Sequence, residues 1–125
     1  MYRSANVFKM DRYKRFSEKK GWIPNVILAS GLYEYLDDES ARKLLKESIA
    51  GIERDGLILV VTQQNNPNKK LIERLGQKKS GESWKLFYRT PATLKEWFCE
   101  AGLHETEITA DMWYMYTFCK GRARR

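Results

Sequence analysis

The first residues that could take part in binding or catalysis are Ser30 and Gly31, which follow the apolar run at residues 26–29. Ligands of open α/β sheets bind beyond the carboxyl ends of parallel strands, where these residues would lie. Tyr33 and Glu34 come next, and a phenol and a carboxylate there could orient a substrate or accept a proton. Loop packing and a solvated charge are the alternative interpretation. Ser30 has no histidine and aspartate in a triad pattern, so a hydrolase is not indicated.

A second polar group follows the apolar run at residues 57–61. It contains four side-chain amides, Gln63, Gln64, Asn65 and Asn66. These amides could recognise a polar substrate, or they could form the turn that precedes a helix starting at Pro67. Aromatic rings could stack on a flat substrate or pack against the sheet. The rings in question are Trp84, Trp113, Tyr114 and Tyr116.

The composition indicates one soluble globular domain covering residues 1–125. Aromatic residues make up 13% of the chain, which argues against disorder. No apolar run approaches the roughly 20 residues of a membrane helix, and the polar N-terminus lacks a signal-peptide pattern, so we expect a cytoplasmic protein without a membrane partner. The net charge of +7 permits a nucleic-acid partner, although the scattered basic residues are also typical of a solvated surface.

Two cysteines and one histidine limit the redox and metal chemistry of the chain. Cys99 and Cys119 are too far apart for a CxxC pair, and His104 has no partners at metal-ligand spacing. We therefore predict two free thiols in a reducing compartment and no metal site.

The first half of the chain predicts helix, strand, helix, strand. A short helix over residues 11–19 ends at Gly21, after a partly extended segment at residues 1–9. Residues 26–29 and 57–61 are apolar on consecutive positions, which predicts strands buried on both faces.

Between these strands, Asp37 and Asp38 predict the start of a helix that runs to about Arg54. Its apolar residues recur at the spacing of one buried stripe. The dipeptide at residues 55–56 then turns the chain into the second strand.

The second half predicts two helices and two strands. One helix starts at Pro67 and runs through Leu75, and residues 84–89 are extended. Thr90 caps a second helix, which Gly102 ends.

Two final strands, at residues 104–109 and 112–119, form a predicted antiparallel hairpin at the edge of the sheet. The alternation of buried strands and helices before them predicts an α/β layer fold with parallel strands.

This order resembles the second half of the class I, Rossmann-like, S-adenosylmethionine-dependent methyltransferase fold. NVILASGLYEYLDD (residues 25–38) is similar to the family's fourth strand and the loop after it. IERDGLILVVT (residues 52–62) resembles the helix, turn and fifth strand that follow. FYRTPATLKEWFCEAGLHETEI (residues 87–108) resembles the segment that leads into strand six. The motif SGLYE at residues 30–34 is similar to a motif of a group of bacterial methyltransferases.

The resemblance implies S-adenosylmethionine (SAM) as cofactor, with the loop after residue 29 near the reactive methyl group. Asn6, in NVFKMD, matches a position beside the adenine ring, where an amide oxygen could accept a hydrogen bond. The candidate cofactor-binding residues are Asn6, Ser30, Gly31 and Leu32. The candidate catalytic residues are Tyr33 and Glu34. The candidate substrate-binding residues are Gln64 and Tyr114.

One part of the family pattern is missing from the sequence. The family binds its cofactor with a glycine-rich loop after strand one, and the chain contains no G-x-G. We therefore expect a partial Rossmann-like fold, a methyltransferase C-terminal half that is inactive alone. The alternatives are a non-catalytic binding or remnant module and a small basic nucleic-acid-binding protein.

The same gap predicts an exposed strand. Residues 26–29 would form a sheet edge, and we expect that edge to pair with another copy of the chain, with a separate N-terminal half or with residues 1–9.

Overall fold

A computed structural model describes Asn6, Lys9, Arg15 and residues 18–124. The predictions for residues 1–9 and for the helix over residues 11–19 fall largely outside this set. Residues 18–20 are helical, and Gly21 follows them with a φ of 64°, in agreement with the predicted end of that helix.

From residue 26 onward the described chain forms a mixed sheet with helices between its strands. The strands are β1 (Val26–Ser30), β2 (Leu57–Gln63), β3 (Leu103–Ala110) and β4 (Tyr116–Ala123). The helices are α1 (Asp38–Gly51), α2 (Lys69–Leu75) and α3 (Pro91–Glu100), and a 3-10 turn spans Tyr33–Tyr35. The strand order is β1-β2-β4-β3, with β1 parallel to β2 and β4 antiparallel to both of its neighbours. The predicted α/β fold and its terminal antiparallel pair are confirmed, and β1 is an edge strand among the strands of the described residues.

Capping side chains fix where the helices begin. The Asp37 carboxylate accepts the Ser40 N–H at 2.8 Å, and the Thr90 hydroxyl accepts the Thr93 N–H at 3.2 Å, as predicted. Helix α1 ends at Gly51, three residues before the predicted end. The reason is that the chain leaves the helix to donate the Glu53 N–H to the carbonyl oxygen of Pro24.

Local polar contacts also shift two predicted starts. Helix α2 begins at Lys69 rather than Pro67, because the Asn66 side chain accepts the Asn68 N–H at 2.9 Å and holds a turn. Strand β4 begins at Tyr116 rather than residue 112, because the Asp111 carboxylate accepts backbone N–H groups from residues 115 and 116, both at 2.8 Å.

The segment at residues 84–89, predicted to be extended, belongs to no strand of the sheet. Its backbone N–H groups bond outside any sheet, Trp84 to the carbonyl oxygen of Gly76 and Leu86 to the Glu73 side chain. The segment is instead a tethered loop between α2 and α3.

Helices α1 and α3 cover one face of the sheet. Leu44 and Leu45 of α1 and Trp97 and Phe98 of α3 join a single core cluster, which includes the buried residues of β2 and β4. The prediction that β1 is covered on both faces is wrong, because both long helices lie on the same side.

The other side, which we call the open face, is apolar near β1. Val26 and Leu28 are 55% and 62% exposed, and Tyr116 and Phe118 are each 38% exposed. Strand register places them together, since Leu28 pairs with Leu59 and Phe118 with Val61.

Candidate functional site

The chain leaves β1 through a turn that requires glycine. Gly31 has a φ of 65°, and its N–H donates to the carbonyl oxygen of Val61 at 3.1 Å. Ser30 and Gly31 are exposed and Leu32 is half-buried against the core. The three predicted cofactor-binding residues of this loop therefore lie together at the carboxyl end of β1.

Tyr33 and Glu34 both point into the protein. Tyr33 is 2% exposed, and burial raises the pKa of its phenol well above the usual range, against the lowering effect of the nearby Arg89. Glu34 is 4% exposed, and its Oε2 accepts a 3.0 Å hydrogen bond from the Thr62 hydroxyl. This bond joins the loop after β1 to the end of β2. The catalytic roles of both residues stay predictions.

The second carboxylate oxygen of Glu34 faces the turn. A Cβ placed on Gly31 would lie 3.7 Å from Glu34 Oε1, and no side chain in the described part of the chain donates a hydrogen bond to that oxygen. A carboxylate with one oxygen fixed and the other directed at an exposed turn can accept a proton or a hydrogen bond from a bound molecule.

Sequence reasoning missed Arg89, which holds this loop in place. Its guanidinium is buried and donates to the backbone carbonyls of Tyr33 and Leu36 and, through two nitrogens, to the Asp38 carboxylate. It also stacks 4.9 Å from the centroid of Trp97. The only sequence signal was its place before the Thr90-Pro91 helix start, which gives no hint of these partners.

The amide group at the end of β2 is divided between two uses. Gln63 donates to the Tyr116 hydroxyl at 3.2 Å, and Asn66 donates to the Gln63 side chain at 3.3 Å, so this pair contributes to the turn before α2. Gln64 is different, because its side-chain nitrogen is buried without a hydrogen-bond partner among the described residues. A buried donor without a partner calls for a ligand or water.

Tyr88 has the same unusual feature. Its hydroxyl is buried and has no partner in the described part of the chain, and its pKa is raised, first by burial and then by the nearby Glu34. Glu34, Gln64 and Tyr88 thus place unused polar atoms around the carboxyl ends of the two parallel strands.

The remaining predicted residues lie further out. Tyr114 is 69% exposed in the turn before β4, and that turn is tied to the site by the Gln64 N–H, which donates to the carbonyl oxygen of Met115. Asn6 is exposed, and its carbonyl oxygen accepts the Lys9 N–H. The backbone bond at Met115 thus links the turn that carries Tyr114 to the end of β2. The roles of Tyr114 and Asn6 stay predictions.

Neither cysteine is in a disulfide, and Cys119 is buried whereas Cys99 is exposed. The described residues contain no group of histidine, cysteine and acidic side chains that could hold a metal ion. Within the same residues, every helix is too short or too polar to cross a membrane.

Residues 2–124 match the model of a protein family described as "Putative methyltransferase". No curated protein sequence matches the chain.

Solved structures share the fold at low identity. An O-methyltransferase family protein from Burkholderia thailandensis has a TM-score of 0.67 and 14% identity, over 99% of this chain and 36% of that protein. Human N-acetylserotonin methyltransferase, solved with SAM, has a TM-score of 0.59 and 16% identity, over 81% and 30%. DhpI, solved with S-adenosylhomocysteine (SAH), has a TM-score of 0.66 and 12% identity, over 99% and 55%. The chain spans about a third of the length of the first two proteins.

Proposed function

The chain belongs to the methyltransferase family whose model it matches, and we propose that it supplies the acceptor side of a SAM-dependent methyltransferase. The observation that carries the proposal is the Glu34–Thr62 hydrogen bond, which fixes a carboxylate beside the exposed turn at Gly31. Carboxyl ends of adjacent parallel strands are where open α/β sheets bind ligands. The family match favours this function over nucleic-acid binding.

The residues after β1 fit one side of the cofactor. The exposed Ser30 hydroxyl and Gly31 backbone could contact polar groups of SAM, and Leu32 offers apolar surface. SAM, when bound, supplies an electrophilic methyl group on a sulfonium centre. Since the chain contains no G-x-G, we propose that a further segment supplies the close backbone approach on the other side of the cofactor.

Glu34 is the residue we assign to proton handling. Its Oε1 would accept the proton, or a hydrogen bond, from the acceptor hydroxyl or amine, while Thr62 keeps Oε2 in place. The unpartnered Gln64 amide and Tyr88 hydroxyl would hold the acceptor's other polar groups. Tyr33 contributes by packing, because its ring is inside the core and its phenol stays protonated.

The segment that completes the site would join at β1, where the two edges of the sheet differ. At the far edge, Glu105 and Glu107 of β3 form ion pairs with Arg122 and Lys120 at 3.1 and 2.8 Å, and such charges discourage a further strand. Strand β1 has the sequence VILAS and carries no charge.

On its side away from β2, the backbone of β1 also has no strand partner in the described part of the chain. Gly31 bonds to β2, so the alternate residues Val26, Leu28 and Ser30 direct their N–H and C=O groups away from it. If two copies paired through β1 about a two-fold axis, their open faces would lie on the same side of the joined sheet. Both open faces would then stay uncovered. A strand with an attached helix would cover both the β1 edge and the open face, so we propose that an α/β segment pairs with β1.

Titration with SAM and SAH tests the proposal. In an NMR titration of the purified chain we expect shifts of the backbone amides of Ser30, Gly31 and Leu32, with affinity too weak for calorimetry. An unchanged spectrum at saturating ligand would contradict the cofactor assignment. Micromolar binding by a monomer would contradict the need for a completing segment.

A further inference from the structure

A cleft of about 530 Å³ lies beside the loop that carries Glu34. It is lined by Tyr35, Asp37, Lys78, Trp84, Lys85 and Phe87. Its volume lies within the range of small-molecule sites, and two of its aromatic rings are partly exposed, Trp84 at 37% and Tyr35 at 46%.

The aromatic wall of this cleft is fixed by close contacts. The Trp84 ring rests on Gly76, where an added Cβ would come within 3.1 Å of the ring, and its backbone N–H donates to the Gly76 carbonyl oxygen. Tyr35 meets Trp84 edge to face, with ring centroids 5.6 Å apart and planes at 75°. Phe87 is tied to the neighbouring loop, because its N–H donates to the Glu34 carbonyl oxygen at 2.7 Å. Two perpendicular rings held in this way present a flat surface and an edge to a third ring.

The charged side chains of the cleft indicate whether its ligand is an anion or a cation. The Asp37 carboxylate caps α1 through Ser40, and the Lys78 ammonium lies 3.4 Å from Glu82. Lys85 has no carboxylate within ion-pair distance among the described residues, and its ammonium lies 5.2 Å from the centroid of Phe87. Aromatic rings beside a carboxylate could form a cage for a cation, but here a lysine already occupies one ring face and a second lysine lines the cleft. The uncommitted charge is therefore positive, and it favours an anion.

We propose that this cleft binds a planar aromatic ring bearing an anionic group, with the ring against Trp84 and Tyr35 and the anion at Lys85. Because Tyr35 follows Glu34 directly and the Phe87 N–H bonds to the Glu34 backbone carbonyl, a ligand in the cleft lies beside the loop that carries Glu34. That this ligand is the methyl acceptor rests on the proposed function, whereas its binding to the cleft does not.

NMR titration of the whole chain with three small molecules tests the cleft. The ligands are 4-hydroxybenzoate, the neutral 4-hydroxybenzamide and the cation choline. We expect the Trp84 indole N–H signal, identified by its loss in Trp84→Phe, to shift saturably with 4-hydroxybenzoate, less with the amide and not with choline. A preference for choline, or no shift of Trp84 with any ligand, would overturn the proposal.

Variants then separate the two contacts. Trp84→Ala should weaken binding of both aromatic ligands about fivefold or more. Lys85→Gln should weaken the benzoate about threefold and leave the benzamide unchanged. Lys95→Gln, at an exposed residue outside the cleft, should change neither affinity. Equal effects of Lys85→Gln and Lys95→Gln would refute the anion contact.

The SAM titration keeps the two proposals distinguishable. Benzoate binding at Trp84 without any SAM or SAH response at Ser30, Gly31 and Leu32 would contradict the proposed function and support the ligand proposed for the cleft. A SAM response without benzoate binding would overturn the cleft alone.

Discussion

The Thr62 hydroxyl at the end of β2 donates a 3.0 Å hydrogen bond to the buried Glu34 carboxylate, 28 residues earlier in the chain. Glu34 is 4% exposed and Thr62 is 1% exposed, so this is a buried polar contact that joins the loop after β1 to the end of β2. Burying a carboxylate requires hydrogen-bond partners, and the bond therefore serves both the fold and the position of Glu34.

Thr62→Val should destabilise the protein by about 1–3 kcal/mol, because it removes the donor while keeping the shape of the side chain. Urea unfolding measures the difference. Thr62→Ser keeps the hydroxyl and should recover most of the loss. Thr109→Val, at an exposed position of β3, should change the stability little. Equal losses at positions 62 and 109 would mean that the Glu34 contact contributes nothing.

Arg89→Lys should cost about 2 kcal/mol or more. Lysine keeps the charge but lacks the planar fork that reaches two carbonyls and a carboxylate, so buried acceptors lose their donors. Arg54→Lys is the matched control, since its side chain is 78% exposed, and its effect should stay below about 0.5 kcal/mol. Arg89→Lys with stability equal to that of the wild type would show that the guanidinium geometry is unimportant for the loop.

Gly31→Ala should destabilise by about 1–2 kcal/mol, the usual cost of a left-handed conformation for a residue with a Cβ. The space itself is sufficient, since the nearest side-chain atom would be 3.7 Å away. Gly51→Ala, at a helix end with nothing within 4 Å, should be neutral or stabilising. The two variants share the chemical change, so a difference in melting temperature reports the backbone conformation at Gly31.

Local signals were enough to predict part of this fold, and non-local contacts explain what they missed. Asp37 and Thr90 cap helices with bonds to residues three positions later, and such bonds are written in the sequence. The apolar run of β1 could not reveal that helices cover only one of its faces, because burial depends on the rest of the domain. The hydrogen-bond partners of Arg89 are more than 50 residues away, except for Phe87, and no spacing rule connects them.

Stability should fall as the pH rises above about 9. Burial raises the pKa of the Cys119 thiol from 9.0 to about 12, so in this window the unfolded chain releases a proton that the folded chain keeps. The urea midpoint should therefore be lower at about pH 10 than at about pH 8. Cys119→Ala should reduce this pH dependence, whereas Cys99→Ala, at an exposed thiol, should preserve it. An unaltered dependence in Cys119→Ala would assign it to other groups, the buried Tyr33 phenol first.

Leu28→Lys should weaken association through β1 and the open face without changing the stability of the fold. Leu28 is 62% exposed on the open face, so a lysine there loses little burial and the free energy of unfolding should change by less than about 0.5 kcal/mol. Association through the open face should weaken strongly, because a charge would have to be desolvated against the apolar surface of the partner. Sedimentation of wild type and variant, alone and with a candidate α/β segment, measures the effect. Lys95→Glu, which changes charge on α3 away from the open face, is the control. If Leu28→Lys unfolds the isolated chain, the residue belongs to its core; if it leaves association intact, the completing segment joins elsewhere.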